Sequence, residues 1–222
     1  MGETKGFEYL DEEKTLTPAD VQAYFTRSNG DYVFARWGRP IVPIVFGVDD
    51  ATLGLIKGAC EAVVSLAGHK MAETDPELGA NLMVFFCREW AELPEVPNLD
   101  KLVPDLVPLV ERLQAADANQ YRIFRFDEDG GIKACFVFIR MDAAMEDVPA
   151  DTLALGQMIQ SILLWSDEAF LGGSPMAQLP DGRVVMKPEV GAVIKAAYDQ
   201  VLPVVAHDPS HALRLFARTQ SL

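Results

Sequence analysis

The chain has few of the side chains that build metal centres, disulfide frameworks and nucleic-acid surfaces. It contains three cysteines and three histidines in 222 residues, and 19 basic residues stand against 33 acidic ones, for a formal charge of −14. Nucleic-acid surfaces need clustered lysine and arginine, which this chain lacks, so we expect no nucleic-acid partner. Cys60, Cys87 and Cys135 are widely spaced between apolar neighbours. This pattern predicts buried free thiols in a reducing compartment.

Long apolar runs are also missing. The longest ones cover residues 40–48 and 134–139, and both are far shorter than the roughly 20 residues that span a bilayer. We therefore expect no transmembrane helix and no membrane partner. Residues 1–8 lack the apolar stretch of a secretion signal, which predicts a cytoplasmic protein.

The motifs of common enzyme classes are absent as well. The sequence has no phosphate-binding glycine loop, no dinucleotide fingerprint and no glycine-flanked serine elbow. We therefore expect no cofactor, and no motif assigns a catalytic residue. His207 and His211 have the spacing of a helical metal pair, but Pro209 lies between them and moves the preceding residue out of helical geometry. The sequence thus predicts a solvated helix start here and no metal site.

Half of the residues are apolar, which is enough for a sizeable core, and their periodicity indicates both helices and strands. The patterns predict helices over residues 17–29, 49–68, 99–116, 149–165, 188–202 and 210–219. They predict strands over 40–46 and 81–87, a hairpin of 121–126 with 132–140, and a short segment over 179–186. Pro43 places the first strand near a sheet edge, and the unbroken apolar run of the second indicates that both of its faces are covered.

These elements predict an α+β fold. We expect a single mixed domain over residues 17–222, preceded by an N-terminal extension over 1–16. A small sheet that includes the hairpin should pack against several helices. The helix over 149–165 is too apolar on all sides for a surface helix and should be central and buried.

Acidic side chains concentrate between Glu73 and Glu111, where nine of them are accompanied by only Arg88 and Lys101. This stretch is the candidate contact surface for a basic protein partner. A charge run of this kind is also typical of a solvated face.

The order of the elements, with a buried helix that reads Gly156-Gln157-Met158-Ile159-Gln160, resembles a zincin-type metallopeptidase domain. In zincins that helix carries His-Glu-x-x-His. The resemblance places Gly156 at the first metal histidine, Gln157 at the general-base glutamate and Gln160 at the second histidine. None of the three can perform those roles, since glycine has no ligand atom and neutral amides are poor zinc ligands and poor bases.

The chain also resembles a family of uncharacterised bacterial proteins that share a zincin-like layout without the metal motif. The segments that carry the likeness are Trp37-Gly38-Arg39-Pro40-Ile41, Ala80-Asn81-Leu82-Met83-Val84, Gln160-Ser161, Lys187-Pro188-Glu189 and Ala197-Tyr198-Asp199. The resemblance runs from about residue 17 onward and implies a zincin-like scaffold without a catalytic metal. In the alternative interpretation, the glutamine-bearing helix is simply a core helix.

We favour a non-catalytic binding or regulatory module on a degenerate zincin-like scaffold. The alternatives are a hydrolase with an atypical active site and a structural or assembly subunit. The candidate cleft residues are Gln157, Gln160, Glu168 and His207. They are dispersed along the chain, so a hydrolase would have to bring them together by folding.

Overall fold

A computed structural model describes residues 15–221. The helices are α1 (Pro18–Ala23), α2 (Asp50–Leu66), α3 (Leu99–Leu102), α4 (Leu106–Ala115), α5 (Ala143–Glu146), α6 (Ala150–Ser161), α7 (Pro188–Ala197) and α8 (Ser210–Thr219), with a 3-10 helix over Trp90–Glu95. The strands are β1 (Phe34–Ala35), β2 (Pro43–Phe46), β3 (Leu82–Cys87), β4 (Gln120–Phe126), β5 (Ile132–Arg140), β6 (Met176–Gln178), β7 (Val184–Met186) and β8 (Val205–Ala206). The predicted extension over 1–16 lies outside the described residues except for its last two, of which Leu16 packs against the core.

A four-stranded sheet in the order β2-β3-β5-β4 forms the centre of the fold. β2, β3 and β5 are parallel, and β4 runs antiparallel to β5. The predicted hairpin is therefore confirmed, with Arg122 opposite Val137 and Phe124 opposite Cys135. The prediction that Pro43 lies near a sheet edge is also confirmed, because β2 is an outer strand.

The central sheet carries a hydrophobic core on each face. Leu82 and Val84 of β3 belong to a large core shared with α1, α2, α6, α7 and α8. Met83 and Phe85 face the other way, into a second core formed with the 3-10 helix, α3 and α4. Because strand side chains alternate between faces, β3 has both faces covered, as its apolar run predicts. The chain is a single α+β domain, in agreement with the expected fold class.

Helix α6 lies in the large core, and its interior residues Met158 and Ile159 are buried, as predicted. The prediction that it continues to residue 165 is wrong, since it ends at Ser161. After the helix, the backbone N–H of Leu164 donates to the carbonyl of Ala35 at 2.9 Å. The chain thus leaves the helix to pair with a segment distant in sequence.

The predicted helix over 99–116 is two helices, α3 and α4. Val103 is extended, as expected for a residue before proline, and Asp105 has a left-handed conformation with φ of 60°. Pro104 therefore divides the segment rather than bending one helix.

Three further predictions can be compared with the described residues. Cys60, Cys87 and Cys135 are buried and free, as predicted. The first helix is shorter than expected and ends at Ala23. No helix within residues 15–221 is long and apolar enough to cross a membrane.

Candidate functional site

A row of polar side chains lies between the edge strand β4 and helix α6. Gln120 and Arg122 are two apart on β4 and share the face that is turned toward α6. Gln157 and Gln160 are three apart on α6, so they lie on one side of the helix. Arg122 Nη2 donates to Gln157 Oε1, and Arg122 Nη1 donates to Gln160 Oε1 at 3.2 Å. Gln157 Nε2 donates in turn to Gln120 Oε1 at 3.1 Å.

The Arg122 guanidinium has amide partners but no acidic one. Among the ion pairs of residues 15–221, none includes Arg122. The Nε atom of Arg122 is shielded from solvent and has no hydrogen-bond acceptor among residues 15–221. Burial lowers the pKa of Arg122 from its ordinary value, because a charge that loses its water is penalised. No counter-ion from the residues that the structure describes therefore compensates the desolvation of this cation.

Arg122 and Gln160 line a surface hollow of about 670 Å³. Arg27 and Ser28, which follow α1, contribute another part of the wall. Aromatic side chains form much of the remaining lining: Phe124, Phe126, Trp165 and Phe170. We call this cavity the arginine hollow.

Within the described part of the chain, Asp167 is the one acidic side chain that lines the arginine hollow. Its carboxylate accepts a hydrogen bond from the backbone N–H of Ser28 at 3.1 Å and one from Ser28 Oγ at 2.5 Å. These hydrogen bonds, with a smaller contribution from Arg27, lower the pKa of Asp167. The carboxylate therefore stays ionised, and it is held on Ser28 rather than on Arg122.

The structure brings together two of the four predicted cleft residues. Gln157 and Gln160 meet on Arg122, and Gln160 lines the arginine hollow, whereas Gln157 is buried behind it. Glu168 is exposed and lines a neighbouring hollow of about 890 Å³, which shares Arg27, Ser28 and Phe170 with the first. His207 is exposed in the loop before α8 and lines neither hollow. A single site made from all four residues is therefore not formed.

The prediction of a solvated helix start at His211 is wrong. His211 lies in the first turn of α8, as expected, but it is fully buried. Its Nδ1 is 2.8 Å from the hydroxyl of Tyr32, and its ring lies 4.3 Å from the ring of Phe34. Burial, with a smaller contribution from Arg214, lowers the pKa of His211 to about 4.

Two side chains with nucleophilic atoms, Ser161 and Cys135, are buried beside the Arg122 cluster and do not line the arginine hollow. Ser161 Oγ donates to the carbonyl of Gln157 at 2.7 Å, so its proton is committed to the helix backbone. Burial raises the pKa of the nearby Cys135 thiol to about 12, which leaves it protonated at neutral pH. Within residues 15–221, no three histidine, cysteine or acidic side chains are grouped to hold a metal ion.

Sequence reasoning missed Arg122 and Arg27. On β4, Arg122 lies between Gln120 and Phe124 on one face, so two polar residues stand next to aromatic ones in the same row. That combination is the signal that could have indicated it. Arg27 gives no comparable signal, because it lies in the turn after α1 and reaches the hollow only through the tertiary fold.

The fold and this cluster define a mixed α+β domain with a surface hollow walled by an arginine and aromatic side chains. Neither a scan against protein-family models nor searches of curated proteins and of solved structures found a match to the chain.

Proposed function

We propose that this chain is a non-catalytic binding module that holds a small anionic molecule in the arginine hollow. The observation that carries the proposal is the Arg122 guanidinium, which lines the hollow and which, among the residues that the structure describes, has amide oxygens and no carboxylate as partners. An anion that reaches such a cation is attracted strongly, because water is partly excluded there. Each Nη nitrogen carries two hydrogens and uses one on a glutamine, so one N–H on each is left for a ligand. The cavity volume of about 670 Å³ lies within the usual range of small-molecule sites.

The proposal keeps the likeness to a zincin layout without its metal motif. Gln157 and Gln160, which the resemblance places at the general base and the second metal histidine, direct their amide oxygens at a guanidinium. At Gly156, the position of the first histidine, an added Cβ would lie 3.0 Å from Met176 Cε, so this site is packed against a neighbour. In this proposal, the helix that the resemblance aligns with the zinc-binding helix of a zincin orients an arginine instead.

A titration with anions tests this function. Sodium acetate, sodium benzoate and inorganic phosphate are added at millimolar concentration to the isotope-labelled protein, and backbone amide shifts are followed by NMR. We expect at least one of these anions to shift amides in β4, in α6 and at residues 27–28, because these segments line the hollow. The variant Gln160→Glu should lose the response, since its new carboxylate pairs with Arg122 and neutralises the positive charge that attracts the anion.

The matched control is Gln114→Glu, which makes the same charge change at an exposed position of α4 on the other side of the sheet. It should respond to the anions as the wild type does. Thermal unfolding of both variants checks that they are folded. An anion response that persists unchanged in Gln160→Glu, or that maps to residues away from the hollow, would contradict the proposed function.

We also propose that the acidic segment binds a basic protein partner, through fewer residues than the whole of 73–111. Asp75 is buried and accepts hydrogen bonds from Asn81 and Arg39, and Glu77 pairs with Lys133 and Arg39. These two acids are therefore used within the fold. The exposed acids that are left are Glu73, which lies between α2 and β3, and six on the layer of the 3-10 helix, α3 and α4: Glu89, Glu92, Glu95, Asp100, Asp105 and Glu111.

A further inference from the structure

We infer that the ligand of the arginine hollow is a monocarboxylate carried on an aromatic or similar apolar body, an inference that rests on the proposed binding function. Two properties of the lining support it, namely its net charge and its aromatic side chains. The net charge of the lining favours a head group with one negative charge, and the aromatic side chains favour an apolar group attached to it.

Among residues 15–221 the charged lining residues are Arg27, Arg122 and Asp167, which together contribute a net charge of one positive unit. A carboxylate neutralises that charge with one negative unit, and its two oxygens match the two N–H groups that remain on Arg122. A phosphate monoester carries close to two negative charges at neutral pH. Its second charge would be repelled by Asp167, which hydrogen bonds from Ser28 keep ionised.

The aromatic lining is fixed in place before any ligand arrives. Trp165 Nε1 donates to the carbonyl of Ile159 at 2.8 Å, and the indole lies edge-on to Phe170 with ring centroids 5.1 Å apart. Phe126, at the end of β4, is 43 % exposed, which is a large apolar area left in water. A small inorganic anion would leave these rings hydrated, whereas an aromatic body would cover them and gain the hydrophobic free energy of that burial.

Calorimetric titration of the full chain with four matched probes tests this inference. The probes are phenylacetate, acetate, phenyl phosphate and phenylacetamide, which vary the body and the head group one at a time. We expect phenylacetate to bind about tenfold or more tighter than acetate and than phenyl phosphate, which corresponds to about 1.4 kcal/mol. Phenylacetamide, which has the ring without the charge, should show no binding, and phenylacetate binding should be lost in Gln160→Glu.

The outcomes separate this inference from the proposed function. If phenyl phosphate or acetate binds at least as tightly as phenylacetate, the hollow binds anions but the inferred class of ligand, an aromatic monocarboxylate, is wrong. If phenylacetamide binds as tightly as phenylacetate, or if none of the four binds, both the ligand class and the proposed function are wrong.

A pair of side-chain truncations tests the aromatic contribution by itself. Phe126→Ala should weaken phenylacetate binding several-fold and leave acetate binding unchanged, because only the aromatic body contacts this ring. The matched control is Leu213→Ala, which removes an exposed apolar side chain on α8, outside the hollow. If Phe126→Ala weakened phenylacetate and acetate binding equally, the proposed contact between the ligand's aromatic ring and Phe126 would be wrong.

Discussion

His211 is a buried imidazole that has no acidic partner in the part of the chain that the structure describes, and this gives the folded chain a pH dependence. Its Nε2 has no hydrogen-bond partner among residues 15–221, and its pKa is lowered to about 4 from the ordinary 6.5. In the unfolded chain the imidazole takes up its proton near pH 6.5, whereas in the folded chain it does so only near pH 4. The stabilising contribution is therefore complete above pH 6.5 and is lost as the pH falls toward 4.

The linked free energy is large enough to measure by urea unfolding at several pH values. We expect the free energy of unfolding to fall by about 3 kcal/mol between pH 7 and pH 4 through this residue alone. His211→Gln, which is neutral throughout and can still bond Tyr32, should show a smaller decrease from a lower starting stability. The part that is left comes from His69, whose pKa is also lowered by burial. His207→Gln, at an exposed position, is the control and should keep the decrease. Carboxylates with lowered pKa, such as Asp75, act in the same direction but only below about pH 4.

The candidate site could be predicted only in part at the level of single residues. Gln157 and Gln160 are recognisable because two amides on a strongly apolar helix need partners in the core. The sequence does not reveal that the partner is Arg122, because strand alternation allows an arginine on β4 to point to either side. Helices cover both faces of this sheet, so its polar and apolar positions do not separate into a solvent face and a core face.

At the level of elements, Gly47 links β2 to α2 and cannot be replaced without strain. Its φ is +83°, and an added Cβ would lie 2.2 Å from the carbonyl oxygen of Phe86. We expect Gly47→Ala to lower the free energy of unfolding by about 3 kcal/mol or more, because left-handed strain and a backbone clash add together. Urea unfolding followed by circular dichroism measures the change.

At Gly58, in helix α2, we expect substitution by alanine to have the opposite effect on stability. It lies inside α2 on the exposed side, and an added Cβ would meet no atom within 4 Å. Gly58→Ala should raise the free energy of unfolding by about 1 kcal/mol, because alanine loses less backbone entropy in a helix. Equal effects at the two glycines would show that the backbone at Gly47 is not constrained as described.

Local sequence patterns predicted the helices and strands whose ends are set by neighbouring residues. They failed where contacts with residues distant in sequence set the end of an element. The hairpin of β4 and β5 follows from alternation and from the turn at residues 127–131, and α2 follows from its apolar spacing. The end of α6 depends on hydrogen bonding between Leu164 and Ala35, which are far apart in sequence. The short strands β1 and β8 pair across most of the chain for the same reason, and no local signal indicates them.

At the scale of the whole molecule, the two cores are coupled by the strands that they share. β5 directs Cys135 and Val137 into the large core, and Phe136 and Phe138 into the second one. The loss of either core would expose half of the apolar side chains of this strand. We therefore expect the described domain to unfold as one cooperative unit.

The free cysteines can report on both cores in the unmodified protein. Cys60 of α2 lies in the large core and Cys87 of β3 in the second, and both are almost fully buried. Burial raises the pKa of the Cys60 thiol to about 12 and that of the Cys87 thiol to about 11, so both are protected until the chain opens. With a thiol reagent at fixed pH and rising urea, peptide mass spectrometry should show the same midpoint for both. Cys135 on the shared strand β5 is the internal reference and should have that midpoint too. Earlier labelling of Cys87 alone would mean that the layer of α3 and α4 detaches first, and that the sheet does not join the cores into one unit.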